Sequence, residues 1–147
     1  GTQTGQIAEW QAERELIYEH WKQVPRTQAA WPWLYFVPQE MACRGTGRLI
    51  VNRTFLDSLN GIRGRLGVSL FILSGYRSPY HNAKVGGAVF SRHLYADAAD
   101  LSIINRDKFR MVELANDYGF TGFGYYRTFL HIDLGRKRSW GMEKWDA

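Results

Sequence analysis

Two short segments in the second half of the chain, "AADLSI" and "FLHIDLG", set polar residues into an apolar frame at the period of a β-strand. Side chains alternate between the two faces of a strand, so Asp100 shares a face with the small Ala98, while Ala99, Leu101 and Ile103 take the other. The same rule buries Leu130, Ile132 and Leu134 together and turns His131 and Asp133 to the opposite side. A fold that accepts both segments needs a sheet with one apolar face and a partner for the polar residues of the other. Between the segments, "RDKFRMVELANDYG" predicts a helix with Phe109, Val112, Leu114 and Ala115 towards the core and Gly119 at its end.

The rest of the chain fills in around this pair. "NRTFLDSLNGIRGRLG" repeats apolar residues at helical steps through Phe55, Leu56, Leu59, Ile62 and Leu66, with Gly67 where a C-terminal cap falls. "VSLFILS" has the composition of a buried central strand. Gly5 to Lys22 reads as an amphipathic helix through Ile7, Trp10, Leu16, Ile17 and Trp21. "VPRTQAAWPWLYFVPQE" is irregular, "GYRSPYHNAKVGGAVFS" is a long glycine-containing connection of the kind that carries function, and "RKRSWGMEKWDA" is a solvated tail anchored by Trp140 and Trp145. The expected fold class is α+β: a single domain with a small, mostly antiparallel sheet and flanking helices. Residues 1–30 form an N-terminal helical appendage and residues 31–147 the domain proper.

Composition limits the chemistry. With 147 residues the chain is long enough for one core. Its net charge of +5 is scattered, and no recognition motif accompanies it, so no specific nucleic acid is expected. Cys43 is the single cysteine, which excludes an internal disulfide and a cysteine-based zinc knuckle. It reads as a small buried hydrophobe. No apolar run reaches the roughly 18–20 residues of a membrane span. The sequence has no signal-like apolar stretch and does not start with Met, so a processed product is expected.

Any metal must therefore be held by histidine and carboxylate. His93 and Asp100 lie seven positions apart, and His131 follows 31 positions later. Catalytic zinc sites use three such N and O ligands and leave a fourth position open. Single residues of these types are more often structural, as is expected of His20 and His81 as exposed residues and of Asp97 as a surface residue. The combined spacing is what points to a metal.

"SGYRSPYHNAKVGGAVFSRHLYADAADL" followed by "FLHIDLG" resembles the zinc D-alanyl-D-alanine carboxypeptidase and peptidoglycan endopeptidase family, over roughly two thirds of the chain. The resemblance implies a cleft holding Zn2+ on His93, Asp100 and His131. It further implies that Arg77 binds a substrate carboxylate or the developing oxyanion and that Ser91 hydrogen-bonds the peptide. Tyr76 is a candidate for lining the peptide cleft, with Tyr125 and Tyr126. Two positions depart from the family pattern. Ala96 stands where glycine is usual, and Thr128 stands where several branches carry an acidic general base. Asp133 is the candidate replacement, sharing a face with His131; it either takes a proton as general base or accepts the other ring N–H of a ligand histidine.

The implied function is a zinc metallopeptidase cutting peptidoglycan stem peptides or cross-links, of D-Ala-D-Ala carboxypeptidase or endopeptidase type. Its setting would be the periplasm, the cell wall or a virion, with a phage tail or virion partner in the last case. The alternative is a metal-stabilised wall-binding or virion structural module that keeps the fold and has lost catalysis.

Overall fold

The computed structural model describes residues 16–88 and 91–146. Its centre is an antiparallel pair, β4 (Ala98–Ser102) and β6 (Phe129–Asp133), the two segments in which polar and apolar residues alternate. They belong to a five-stranded sheet with β3 (Ile72–Ser74) on one edge, β5 (Gly122–Tyr125) beside β6, and β7 (Arg138–Trp140) on the other edge. All pairings are antiparallel except that of β5 with β7. A separate two-stranded sheet joins β1 (Leu16–Tyr18) to β2 (Leu49–Val51). This is the expected α+β domain with a mostly antiparallel sheet.

The inner face of the main sheet is apolar because alternation delivers Ala99, Leu101, Leu130 and Ile132 to one side, all essentially inaccessible. Each leucine or isoleucine buried this way contributes about 1.5–3 kcal/mol. Against them pack α2 (Arg53–Leu66) and α4 (Lys108–Asp117); α1 is the single turn Pro38–Met41 and α3 spans Pro79–Lys84. α2 begins where the Asn52 side chain accepts the Phe55 N–H and, as its sequence predicts, ends at Gly67, in the left-handed conformation. It buries Phe55, Leu56, Leu59 and Ile62. In α4 the buried residues are Met111, Leu114 and Ala115. Phe109 is exposed instead, its ring edge-on to Trp145, so the core face starts half a turn later than expected.

Three expectations are corrected. Leu16–Tyr18 is a strand followed by a 3-10 turn at Trp21–Gln23, not the end of a helix, because Ile17 pairs with Ile50 in β2 and tertiary pairing overrides local periodicity. The remainder of that predicted helix lies outside the described residues. β3 is an edge strand, not a central one: Leu70 and Ile72 point inward, while Phe71 and Leu73 are exposed. The C-terminal segment is not a solvated tail, since Arg138–Trp140 adds a strand and Trp145 is buried. Among the described residues no helix is long and apolar enough to cross a membrane.

Candidate metal centre

Asp100 and His131 face each other in the β4–β6 register, and Asp133 sits opposite Ala98, whose small side chain leaves the room. His93 comes from a 3-10 turn, Arg92–Tyr95, which Ser91 caps by accepting the His93 N–H at 3.3 Å. The turn closes on Ala96 in the left-handed conformation and leads directly into β4. One short segment thus supplies two of the three predicted ligands, and the neighbouring strand supplies the third. Donor atoms of His93, Asp100 and His131 all lie within 4.8 Å of one another, and all three residues are buried.

Hydrogen bonds around the two rings fix which nitrogen faces the centre. Nδ1 of His93 is 2.7 Å from the Gly75 carbonyl oxygen. A carbonyl only accepts, so Nδ1 carries a proton and Nε2 is the nitrogen turned to Asp100 Oδ1, 3.3 Å away. Nδ1 of His131 is 2.8 Å from that same oxygen, and its Nε2 is 2.7 Å from Asp133 Oδ2. Two ring nitrogens converge on one carboxylate oxygen in a buried site, a place that positive charge fills, either as protons on the rings or as a metal ion in their stead. Two imidazoles and one carboxylate are the ligand chemistry of zinc, so the residues fit that ion.

The charges are strongly coupled. Burial would raise the Asp100 pKa, but hydrogen bonds from His131 and His93 outweigh it and hold the carboxylate well below its usual range. Asp133 is likewise depressed: burial opposes, and bonds from His131, Arg138 and the Gly135 N–H prevail. Burial alone would lower His131, yet its bonds to Asp100 and Asp133 raise it above the ordinary histidine value.

The centre opens into a cavity of about 320 Å3 lined by Arg77, Ser91, Arg92 and the three candidate ligands, with an aromatic side made by Tyr126, Phe129 and Trp140. Arg77 reaches it from the connection after β3. Its Nε donates to Ser74 Oγ at 3.3 Å, one terminal nitrogen donates to Asn82 Oδ1 at 3.3 Å, and the other lies 3.6 Å from Asp100 Oδ2. Asn82 is buried and in turn donates to the Ala88 carbonyl, so this buried amide links Arg77 to the loop.

Several candidates lie elsewhere than expected. Tyr76 does not line the cavity: the chain turns inward after Gly75, the Tyr76 N–H bonds to the Met41 carbonyl, and the ring is buried with Cys43, Ile50 and Ala96. Tyr125 also points away, against Trp145, whereas Tyr126 is on the cavity wall. Asp97 is buried, not on the surface, and pairs with both Arg92 nitrogens that face it. Asp133 is inaccessible to solvent beneath His131, and both of its oxygens accept hydrogen bonds from Arg138, at 2.9 and 2.8 Å. Asn82, Arg138 and Trp140 were not singled out as site residues from the sequence. The one signal available was the position of Arg138, five residues after Asp133, where a short return strand brings it back.

A model of the family described as Peptidase M15 matches residues 34–133. Over 71 residues, 45% of this chain, the sequence is 38% identical to the zinc D-Ala-D-Ala carboxypeptidase of Streptomyces albus G. The matched stretch spans 28% of that relative's own length.

Proposed function

The chain belongs to the peptidase M15 family, and from that premise we propose that it is a zinc metallopeptidase hydrolysing peptide bonds in peptidoglycan stem peptides or cross-links. The observation that carries the reading is the convergence of His93, Asp100 and His131 at the floor of an open cavity whose rim holds Arg77.

Zinc, when bound, supplies Lewis acidity that polarises a scissile carbonyl and acidifies water towards a pKa of about 7. The chain's own residues do the rest. His93 is held by Gly75 and His131 by Asp133, so each ring is presented in one orientation without reorganisation. Arg77, braced by Ser74 and Asn82, offers a guanidinium fork to a peptide carboxylate or to the oxyanion that develops at the carbonyl. Ser91 is at the cavity edge, within reach of substrate backbone. For Asp133 the histidine-orienting role fits better than that of general base, because its buried carboxylate already bonds His131, Arg138 and the Gly135 N–H. Action on peptidoglycan would put the protein in the periplasm or cell wall, or on a virion.

One observation favours a second reading, a metal-stabilised wall-binding or virion module without catalysis. Thr128 stands where several branches of the family carry an acidic base, so that Asp100 is the sole carboxylate among the described residues that line the cavity. Incubating zinc-loaded protein with purified peptidoglycan and identifying released fragments by mass spectrometry decides between them. Zinc-dependent cleavage that His93→Ala abolishes is the expected result, and the new termini name the bond. Stoichiometric zinc with no released fragment would establish the second reading.

A further inference from the structure

β5 carries glycine at two alternate positions, Gly122 and Gly124, and both fall on the face of the sheet that bears the metal centre. Gly122 is the cross-strand partner of Asp133 on β6 and of Arg138 on β7; Gly124 is the partner of His131 and of Trp140. β5 therefore lies between the two strands, yet contributes no side chain on this face. A Cβ at Gly122 would overlap both Asp133 Oδ1 and the Arg138 guanidinium, and one at Gly124 would come within 2.6 Å of the Trp140 ring. Across this bare track Arg138 places two parallel hydrogen bonds on Asp133, and the Trp140 ring comes to 5.3 Å from that of His131. Trp140 is itself fixed, its indole N–H donating to the Tyr126 hydroxyl at 2.9 Å.

We propose that Arg138 is a positioning residue for the metal ligand His131, acting through Asp133 across the side-chain-free position Gly122. The inference rests on the zinc reading above and adds to it a strand that lies beyond the matched residues 34–133. Its physical basis is directional. Asp133 can orient His131 only if its own carboxylate cannot rotate. Among the described residues Arg138 is the one side chain that grips both of its oxygens, in the fork geometry that a lysine cannot reproduce. Gly122 is a second, independent sign: a strand residue without a side chain weakens a strand, and here it marks a close approach of neighbouring groups.

The test is zinc affinity, measured by competition with a chromophoric chelator on Arg138→Gln, Arg138→Lys and Gly122→Ala. Thermal unfolding of the metal-free proteins is recorded alongside. Loss of an outer partner of a ligand histidine costs about 10–100-fold in metal affinity, so Arg138→Gln is expected in that range and Arg138→Lys between it and wild type. Gly122→Ala should weaken zinc in the same direction, with Arg138 and Asp133 both intact. A purely structural Arg138 would lower the unfolding temperature and leave zinc affinity unchanged, which would overturn the proposal. If Arg138→Gln does not fold, Arg138→Lys decides, since unchanged affinity there overturns it equally. These readouts need no peptide cleavage. A wild-type protein that holds zinc but cuts nothing sinks the peptidase reading alone, whereas equal affinities in an active enzyme sink the positioning role alone; a wild-type protein that binds no zinc sinks both.

Discussion

Asp100 Oδ1 lies 2.8 Å from Nδ1 of His131 and 3.3 Å from Nε2 of His93, so one carboxylate oxygen is the meeting point of both rings. Replacing it with an amide keeps the size but puts a neutral group where a cation is to be held. Asp100→Asn should therefore weaken zinc by more than the roughly 100-fold that marks the upper end for an outer partner. Isothermal titration with zinc checks this, and retention of wild-type affinity would remove Asp100 from the ligand set.

Removing the metal should cost stability by simple linkage. An ion bound to the folded chain at a free concentration 100 times its dissociation constant stabilises by about 2.7 kcal/mol. For a domain of this size that converts to roughly 5–10 °C in the unfolding midpoint. Calorimetry with and without a chelator, repeated on His93→Ala, gives the difference; a shift of the same size in the variant would locate the effect outside this site.

In chelator-treated protein, pH should act through His131. Burial works against its charge, but the bonds to Asp100 and Asp133 raise its folded pKa above the ordinary value of about 6.5. A raised folded value means that the folded state holds the proton more tightly. The stabilisation is then fully present below about pH 6.5 and is lost as pH climbs through the higher folded value. Urea titrations across neutral pH should show the metal-free protein weakening towards alkaline conditions, and His131→Phe should flatten that slope. Zinc loading should flatten it too, because the metal requires a deprotonated ring.

The parts of this molecule that could be read from sequence are those where one period dominates. The alternation in "FLHIDLG" assigned Leu130 and Ile132 to the core and His131 and Asp133 to the opposite face, and Gly67 marked the end of α2. What escaped depends on contacts distant in sequence. β5 lacks an alternating signal because Gly122 and Gly124 are bare for the sake of Arg138 and Trp140, which approach from another strand. Leu16–Tyr18 is set by pairing with β2, and Asp97 is buried because Arg92 of the preceding turn neutralises it, which no local rule states.

The left-handed residue between the metal-binding turn and β4 gives a final test. Ala96 has φ 58° and ψ 31° and is buried, at the position where glycine is usual in the resembling family. That conformation costs a non-glycine residue about 1–2 kcal/mol. Ala96→Gly removes the strain, but it also forfeits a buried methyl, about 0.8 kcal/mol, and gives the unfolded chain extra freedom, about 0.4–1 kcal/mol. The opposing contributions nearly cancel, so Ala96→Gly should change stability by less than about 1 kcal/mol and leave zinc affinity intact. Ala96→Val places a branched side chain on the same left-handed backbone in a packed site and should destabilise by more than about 2 kcal/mol. Urea unfolding of the two variants measures both. A well-tolerated valine would mean that the turn carrying His93 can relax to a different backbone and does not by itself fix the ligand geometry.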